Sequence, residues 1–132
     1  MEISRQTKTL SFSSKKIYDF IINTHNYKDI LADEIRDFEI ISENKFKIKI
    51  GSLPNISLKI ENNPDDFSVK LVSDDDNLNF EISIVVISIN EKSSLIDLKF
   101  VGKFSSMIEM MIKKPIEKFI DSIKNKIEEI DF

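Results

Sequence analysis

Four side chains in this sequence are the plausible donors for polar or acid–base chemistry: Arg5, Thr7, His25 and Tyr27. His25 is the single histidine and there is no cysteine, so a multi-histidine metal centre, a thiolate metal site and a cysteine nucleophile are excluded. No Ser-His-acid arrangement is visible. With two glycines in the whole chain, a glycine-rich phosphate loop is excluded as well.

Two runs of aspartates, Asp65-Asp66 and Asp74-Asp75-Asp76, lie in predicted turns. A calcium loop needs liganding oxygens at regular spacing and a glycine at its sharp turn, and neither run has both. We interpret both runs as solvated hairpin tips. No metal site and no cofactor are predicted.

Length and charge restrict the partners. The 132 residues suit one domain spanning 1–132. A net charge of −4 does not favour nucleic acid, because such binding depends on neutralising phosphates. No apolar run approaches the roughly 20 residues of a spanning helix, so no membrane insertion is expected. The first residues lack the features of a secretory signal, which predicts a cytoplasmic location.

The chain is predicted to begin with a strand and two short helices. Residues 3–12 mix β-branched and polar residues, with basic side chains typical of an exposed edge strand. Two serines follow and can cap the first helix. The second helix is expected from about Tyr27 to Ala32. His25 and Tyr27 then lie between the helices, near the mouth of any cavity, although a lone histidine there is more often a capping or surface residue.

Alternating apolar and polar residues predict six further strands within residues 35–100. Short connections, including residues 90–94, force antiparallel hairpins. The alternation slips at Val85 and Val86, which predicts a β-bulge there. The inward-facing side chains are all apolar: Phe46, Ile48, Ile50, Ile56, Leu58, Ile60, Phe67, Val69, Leu71, Phe80, Ile82, Ile84, Ile96, Leu98 and Phe100.

The segment from Ser105 to Ile130 is predicted to form one long amphipathic helix. Pro115 removes a backbone donor, so a kink or break is expected there. Met107 and Met110 lie off the apolar stripe, which makes the first turns apolar almost all round. Burial against the short helices is the first interpretation of these methionines. A flexible cavity entrance and a contact with a dimer mate or protein partner are the alternatives.

This order of elements resembles the helix-grip fold of the SRPBCC superfamily, which includes START, birch-pollen-allergen-like and polyketide cyclase-like domains. Residues 12–21, FSSKKIYDFI, look like the strand-to-helix transition of many members. Residues 107–119, MIEMMIKKPIEKF, look like the closing helix of a small bacterial subgroup of unknown function.

The resemblance covers nearly the whole chain and implies an α+β fold. A curved seven-stranded antiparallel sheet is expected to wrap around the long C-terminal helix, with a cavity between them. Members of the superfamily bind lipids, sterols, polyketides or plant hormones in that cavity, and some catalyse cyclisation or hydrolysis. They share no catalytic set, so no catalytic residue is carried over.

An inner face without a carboxylate, histidine or tyrosine disfavours acid–base catalysis and permits an apolar ligand. The leading hypothesis is non-catalytic binding or transport of a lipid, isoprenoid or polyketide-like molecule. A cyclase or aromatase-type enzyme, a ligand-free interaction module and a solid core filled by phenylalanines are the alternatives. A homodimer or a protein partner would use the start of the C-terminal helix. The expected lining is Phe46, Ile48, Leu58, Val69, Phe80, Ile82, Leu98, Phe100, Ile108, Met111 and Ile112, and the expected rim is His25, Tyr27 and Met107.

Overall fold

The computed structural model of the protein describes residues 1–31, 35–50, 53–74 and 78–132. The elements in chain order are β1 (Glu2–Gln6), α1 (Ser14–Ile21), a 3-10 turn (Thr24–Asn26), α2 (Tyr27–Ile30), β2 (Ile35–Ser42), β3 (Lys45–Ile50), β4 (Asn55–Asn63), β5 (Ser68–Ser73), β6 (Phe80–Asn90), β7 (Ser93–Gly102) and α3 (Ser106–Glu129). Three residues named in the predictions lie outside the described residues: Ala32, Asp75 and Asp76.

All seven strands form one antiparallel sheet in the order β1-β7-β6-β5-β4-β3-β2. β2 to β7 are a meander in which each strand pairs with its neighbour in sequence. β1 is added at the far edge, where Ile3 pairs with Phe100 of β7. The predicted sheet with one long C-terminal helix is confirmed, and β1 is an edge strand as expected.

Side-chain caps fix where α1 and α3 begin. The Ser13 hydroxyl accepts a hydrogen bond from the backbone N–H of Lys16, and the Ser105 hydroxyl accepts one from that of Ile108. Each bond satisfies a donor that the first helical turn leaves free.

Helix α3 runs without a break from Ser106 to Glu129, so the break considered at Pro115 is wrong. Proline lacks the N–H that would bond to the carbonyl of Met111, four residues earlier. Met111 is exposed, so water can reach that side of the helix and solvate the carbonyl.

The bulge predicted at Val85 and Val86 is wrong. β6 and β7 pair in continuous register through these residues, and the irregularity lies between Ser88 and Asn90. The side chains of Ile87 and Ile89 simply face outward and are exposed, so the apolar run reflects an outer apolar surface and not a slipped register.

The connection predicted at residues 90–94 is also too long. Asn90 pairs with Ser93, which leaves Glu91 and Lys92 as the turn. The first strand is shorter than predicted, since β1 ends at Gln6. Beyond it, Leu10 forms an isolated bridge to Ser94.

The core lies between the inner face of the sheet and the helices. Alternate strand residues are buried in register along β3 to β7, and one stripe of α3 is buried against them. The buried residues of α3 are Ile112, Ile116, Phe119, Ile120, Ile123 and Ile127. β3, β5 and β7 end, and β4 and β6 begin, at the end of the sheet where α3 begins. We call this the open end.

Candidate functional site

The structure places the predicted sheet residues together on one buried surface. Every strand residue of the expected lining is at most 4% exposed. Ile112 of α3 joins them in the same apolar cluster, and Ile108 is half-buried against it. The strand residues of the lining therefore share the inner face of the sheet, as their alternation predicted. The strand members are Phe46, Ile48, Leu58, Val69, Phe80, Ile82, Leu98 and Phe100.

The first turns of α3 differ from the prediction. Met107, Met110 and Met111 are largely exposed, so their expected burial against the short helices is wrong. α3 begins at the open end, and in its first turns Ile108 and Ile112 pack against the core while the methionines lie on the other side of the helix. Met111, predicted to line the cavity, lies on the solvent side of the helix.

Tyr27 does not lie at a cavity rim. Its ring is fully buried and stacks on Phe46 with 5.3 Å between the ring centroids. Its hydroxyl donates a 2.7 Å hydrogen bond to the carbonyl of Ile21. Burial raises the pKa of Tyr27 far above that of a free tyrosine. Tyr27 therefore closes the core beneath α1 and α2.

His25 is exposed in the 3-10 turn between α1 and α2. Its backbone N–H donates to the side chain of Asn23, which caps the turn. This position agrees with the interpretation of His25 as a surface residue.

Arg5 and Thr7 are held by neighbouring groups. The Arg5 guanidinium donates a 2.7 Å hydrogen bond to Asp121 of α3 and forms an ion pair with it. The Thr7 hydroxyl donates to the carbonyl of Lys8 and accepts from the backbone N–H of Ile96. Both side chains therefore attach the first strand segment to its neighbours.

Ser94 was missed as an interior residue. It is fully buried, and its hydroxyl has no hydrogen-bond partner within the described part of the chain. The same alternation that places Ile96 inward would place Ser94 inward if β7 began earlier. The error in the β6–β7 turn therefore concealed a polar atom in the interior.

An aromatic cluster lies at the open end. Phe80 and Phe100 stack with 5.0 Å between ring centroids, and Phe104 lies 6.4 Å from Phe100. A Cβ atom at Gly102 would lie 2.6 Å from the Phe104 ring, so only glycine allows the ring to rest there. Phe104 is half-buried and immediately precedes α3, so it covers the inner face where the helix starts.

Three concave surfaces lined by described residues lie outside the core. The largest, about 420 Å³, lies over β1 and β7 and includes Ser4, Gln6 and Lys99. Another, about 310 Å³, includes Lys45 and Lys59. The third, about 230 Å³, lies beside β6 and β7 near the start of α3. Outward-facing polar and charged side chains contribute to all three, so they do not form the expected apolar cavity.

No group of three or more histidine, aspartate or glutamate side chains within the described ranges is placed to hold a metal ion. No helix in the described part of the chain is long and apolar enough to cross a membrane.

Solved structures with this architecture cover almost the full length of the chain. A START superfamily protein from Mycobacterium smegmatis matches with a TM-score of 0.75 at 12% identity, over 96% of this chain and 94% of that one. Norcoclaurine synthase from Thalictrum flavum, in complex with dopamine and hydroxybenzaldehyde, matches with a TM-score of 0.72 at 12% identity, over 100% and 88% of the chains. The Zhui aromatase/cyclase from Streptomyces sp. R1128 matches with a TM-score of 0.74 at 9% identity, over 97% and 91%.

These likenesses show that the chain has the helix-grip fold found in START-like and polyketide cyclase-like proteins. The predicted α+β class and the predicted superfamily fold are thereby confirmed. Protein-family models and curated protein sequences provide no match to the chain. At such low identities the likeness establishes the fold, and function has to be argued from this chain's own residues.

Proposed function

We propose that this protein binds a small hydrophobic molecule, such as a lipid, an isoprenoid or a polyketide, between the inner face of the sheet and α3, without transforming it. The observation that carries the proposal is the chemistry of the interior. Within the described ranges, Thr7, Thr24 and Ser94 are the polar residues classed as buried, and no buried residue is charged. Such an interior suits an apolar ligand and offers few groups to orient a reaction.

The open end is the proposed route of entry. Leu53 and Leu78 belong to the core cluster there, and Phe104 and Ile108 pack against it while half-buried. The Phe104 ring lies against Gly102 and Phe100 at this end, so a ligand that enters here has to displace that ring. The expected lining residues stay part of this proposal, except Met111, which is exposed.

The geometry favours binding over catalysis. The hydroxyls of Thr7 and Tyr27 already bond to backbone groups, and Arg5 is paired with Asp121. His25 is exposed, and its neighbour Thr24 bonds to Glu43 in the β2–β3 turn, at the other end of the sheet from the start of α3. The cyclase-type alternative therefore lacks a described pair of donors facing the lining. The cytoplasmic location stays a prediction.

Native mass spectrometry and equilibrium titration test the proposal directly. Purified protein is mixed with a long-chain fatty acid, farnesol or an anthraquinone, and complexes are detected by mass. We expect at least one of these probes to bind in one-to-one ratio and to raise the Tm, because a ligand that binds only the folded state stabilises it.

Ile108→Trp is the informative variant, because Ile108 is half-buried at the open end and a larger ring would obstruct entry. We expect at least tenfold weaker binding. Ile89→Trp, on the exposed outer face, is the matched control and should bind normally. Absence of a complex with every probe, or equal loss in both variants, contradicts the proposal. Recovery of a chemically altered probe would instead establish an enzyme.

A further inference from the structure

The exposed methionines at the start of α3 form an unusual surface. Met107, Met110 and Met111 are 75%, 83% and 68% exposed. At about 100° per residue they fall in one arc of the helix, opposite the buried Ile112 and Ile116. Residues three and four apart on a helix are neighbours, so the three side chains form one continuous apolar protrusion. We call it the methionine face.

Basic residues surround the methionine face. Lys114 and Lys118 lie within the same arc, and Lys103 and Lys113 flank it; all four are exposed. Within the described part of the chain, none of them has a carboxylate within ion-pair distance. Residues 103–118 contain four lysines and two glutamates, a net charge of +2, while the whole chain has −4. The remaining residues therefore carry −6, and positive charge is concentrated beside the exposed apolar side chains.

This charge disfavours a second copy of the chain as the occupant. In a two-fold contact the same patch meets itself, which would bring Lys114 and Lys118 against the same lysines of the other copy. A protein partner is also less suited, because lysine is depleted at protein interfaces and four exposed lysines border the methionine face. Flexible, unbranched methionines on a convex helix adapt well to a fluid apolar medium.

We propose that the methionine face docks peripherally on an anionic lipid bilayer. Met107, Met110 and Met111 enter the boundary between headgroups and acyl chains, and the flanking lysines contact anionic headgroups. The acidic remainder of the protein is repelled by the same headgroups, which fixes the orientation with the start of α3 towards the membrane. This is adsorption to one leaflet, and α3 does not cross the bilayer.

Docking and ligand binding are separable. The methionine face lies on the solvent side of α3, whereas the proposed ligand contacts the opposite side. The orientation would bring the open end to the lipid surface. This is the one point at which the inference extends the proposed function. Vesicle binding without any ligand complex would overturn the proposed function alone, and the converse result would overturn the docking alone.

Vesicle flotation tests the proposal. The protein is mixed with vesicles of phosphatidylcholine containing phosphatidylserine, or of phosphatidylcholine alone, and floated through a density gradient. We expect wild-type protein to float with the anionic vesicles, to remain largely free with the neutral ones, and to dissociate as salt is raised.

Two triple variants separate the apolar and the electrostatic contributions. The combined changes Lys113→Gln, Lys114→Gln and Lys118→Gln should weaken binding by roughly fivefold per lysine. A second variant replaces Met107, Met110 and Met111 with glutamine and should abolish flotation. All six positions are exposed on α3, so circular dichroism and Tm should match those of the wild type.

The controls change exposed lysines or exposed apolar residues on other elements of the fold. One control replaces Lys28, Lys59 and Lys92 with glutamine and has the same net charge as the lysine variant. The other, Ile41→Thr with Ile89→Thr, removes exposed apolar surface from β2 and β6 and leaves α3 unchanged. Both controls should float as the wild type does. Equal loss in the controls, flotation that ignores phosphatidylserine, or a dimer in light scattering that the methionine variant dissolves would each overturn the proposal.

Discussion

Tyr27 combines a fully buried ring with one hydroxyl hydrogen bond to the carbonyl of Ile21. The bond joins α2 to the end of α1 inside the core. A buried carbonyl that loses its donor retains its desolvation cost without compensation, so this hydroxyl contributes more than a solvent-facing one would.

Tyr27→Phe should therefore lower the free energy of unfolding by about 1–3 kcal/mol, the cost of leaving a buried polar group unpaired. The stacking on Phe46 would be retained. Urea denaturation followed by circular dichroism measures the change. Tyr18→Phe is the matched control, because no hydrogen bond to the Tyr18 hydroxyl is described, and it should change stability much less. Equal losses in the two variants would contradict this role for Tyr27.

Glu128 holds the segment after β1 against α3. Its carboxylate accepts a 2.8 Å hydrogen bond from the backbone N–H of Lys8 and pairs with Lys124 at 3.1 Å. The Lys8 hydrogen bond, opposed in part by burial and reinforced by Lys124, lowers the pKa of this carboxyl. The ionised form is therefore favoured by folding, and the stabilisation is present above the unfolded pKa and lost as pH falls through the folded pKa.

Glu128→Gln tests this pH dependence. The amide can still accept from Lys8, so the variant removes charge with little change in shape. We expect a loss of about 1 kcal/mol at neutral pH, since a charge-assisted hydrogen bond is roughly twice as strong as a neutral one. The difference from wild type should shrink towards zero as the pH is lowered below the folded pKa. Glu129→Gln, at an exposed position next in sequence, is the matched control, and an equal loss of stability in the two variants would contradict this role for Glu128.

At the scale of elements, the junction between β7 and α3 depends on Gly102. The Phe104 ring occupies the space that a Cβ at this position would need, and Phe80 also lies 3.0 Å from that point. The ring therefore fixes how the chain turns from the sheet into the helix.

Gly102→Ala should destabilise the protein by about 1–3 kcal/mol, as overpacking of a core does. In a Phe104→Ala background the cost should be smaller, because the closest obstruction has been removed. A double-mutant cycle from chemical denaturation gives this coupling. Additive effects of the two substitutions would show that Phe104 does not determine the requirement for glycine.

At the scale of the whole molecule, the sequence predicted the architecture well because the alternation is strong. Phe46, Ile48 and Ile50 alternate with lysines on β3, and their burial follows that pattern without exception. The serine caps indicate where α1 and α3 begin. The short turns leave few ways to connect the antiparallel strands.

The wrong predictions concern residues whose burial depends on which other elements pack over them. The pattern of apolar residues along the sequence does not show this. Ile87 and Ile89 are apolar yet exposed, so an alternation argument misread them as a register slip. Met107 and Met111 are apolar yet exposed, because they lie on the side of α3 that faces away from the core. Tyr27 was placed at a rim because it follows the turn between the two short helices, whereas its ring is buried and its hydroxyl bonds to the carbonyl of Ile21. Long-range coverage of this kind is decided by tertiary structure.

The pairing of β1 with β7 has a consequence for how the chain reaches its native state. Glu2 pairs with Val101, so an early segment has no sheet partner until the final strand exists. During synthesis, β1 stays unpaired until roughly a hundred further residues have left the ribosome. Contacts so distant in sequence slow folding, because their loop-closure entropy is lost before they form. The meander can assemble from local contacts, and we expect the pairing of β1 with β7 to form after it.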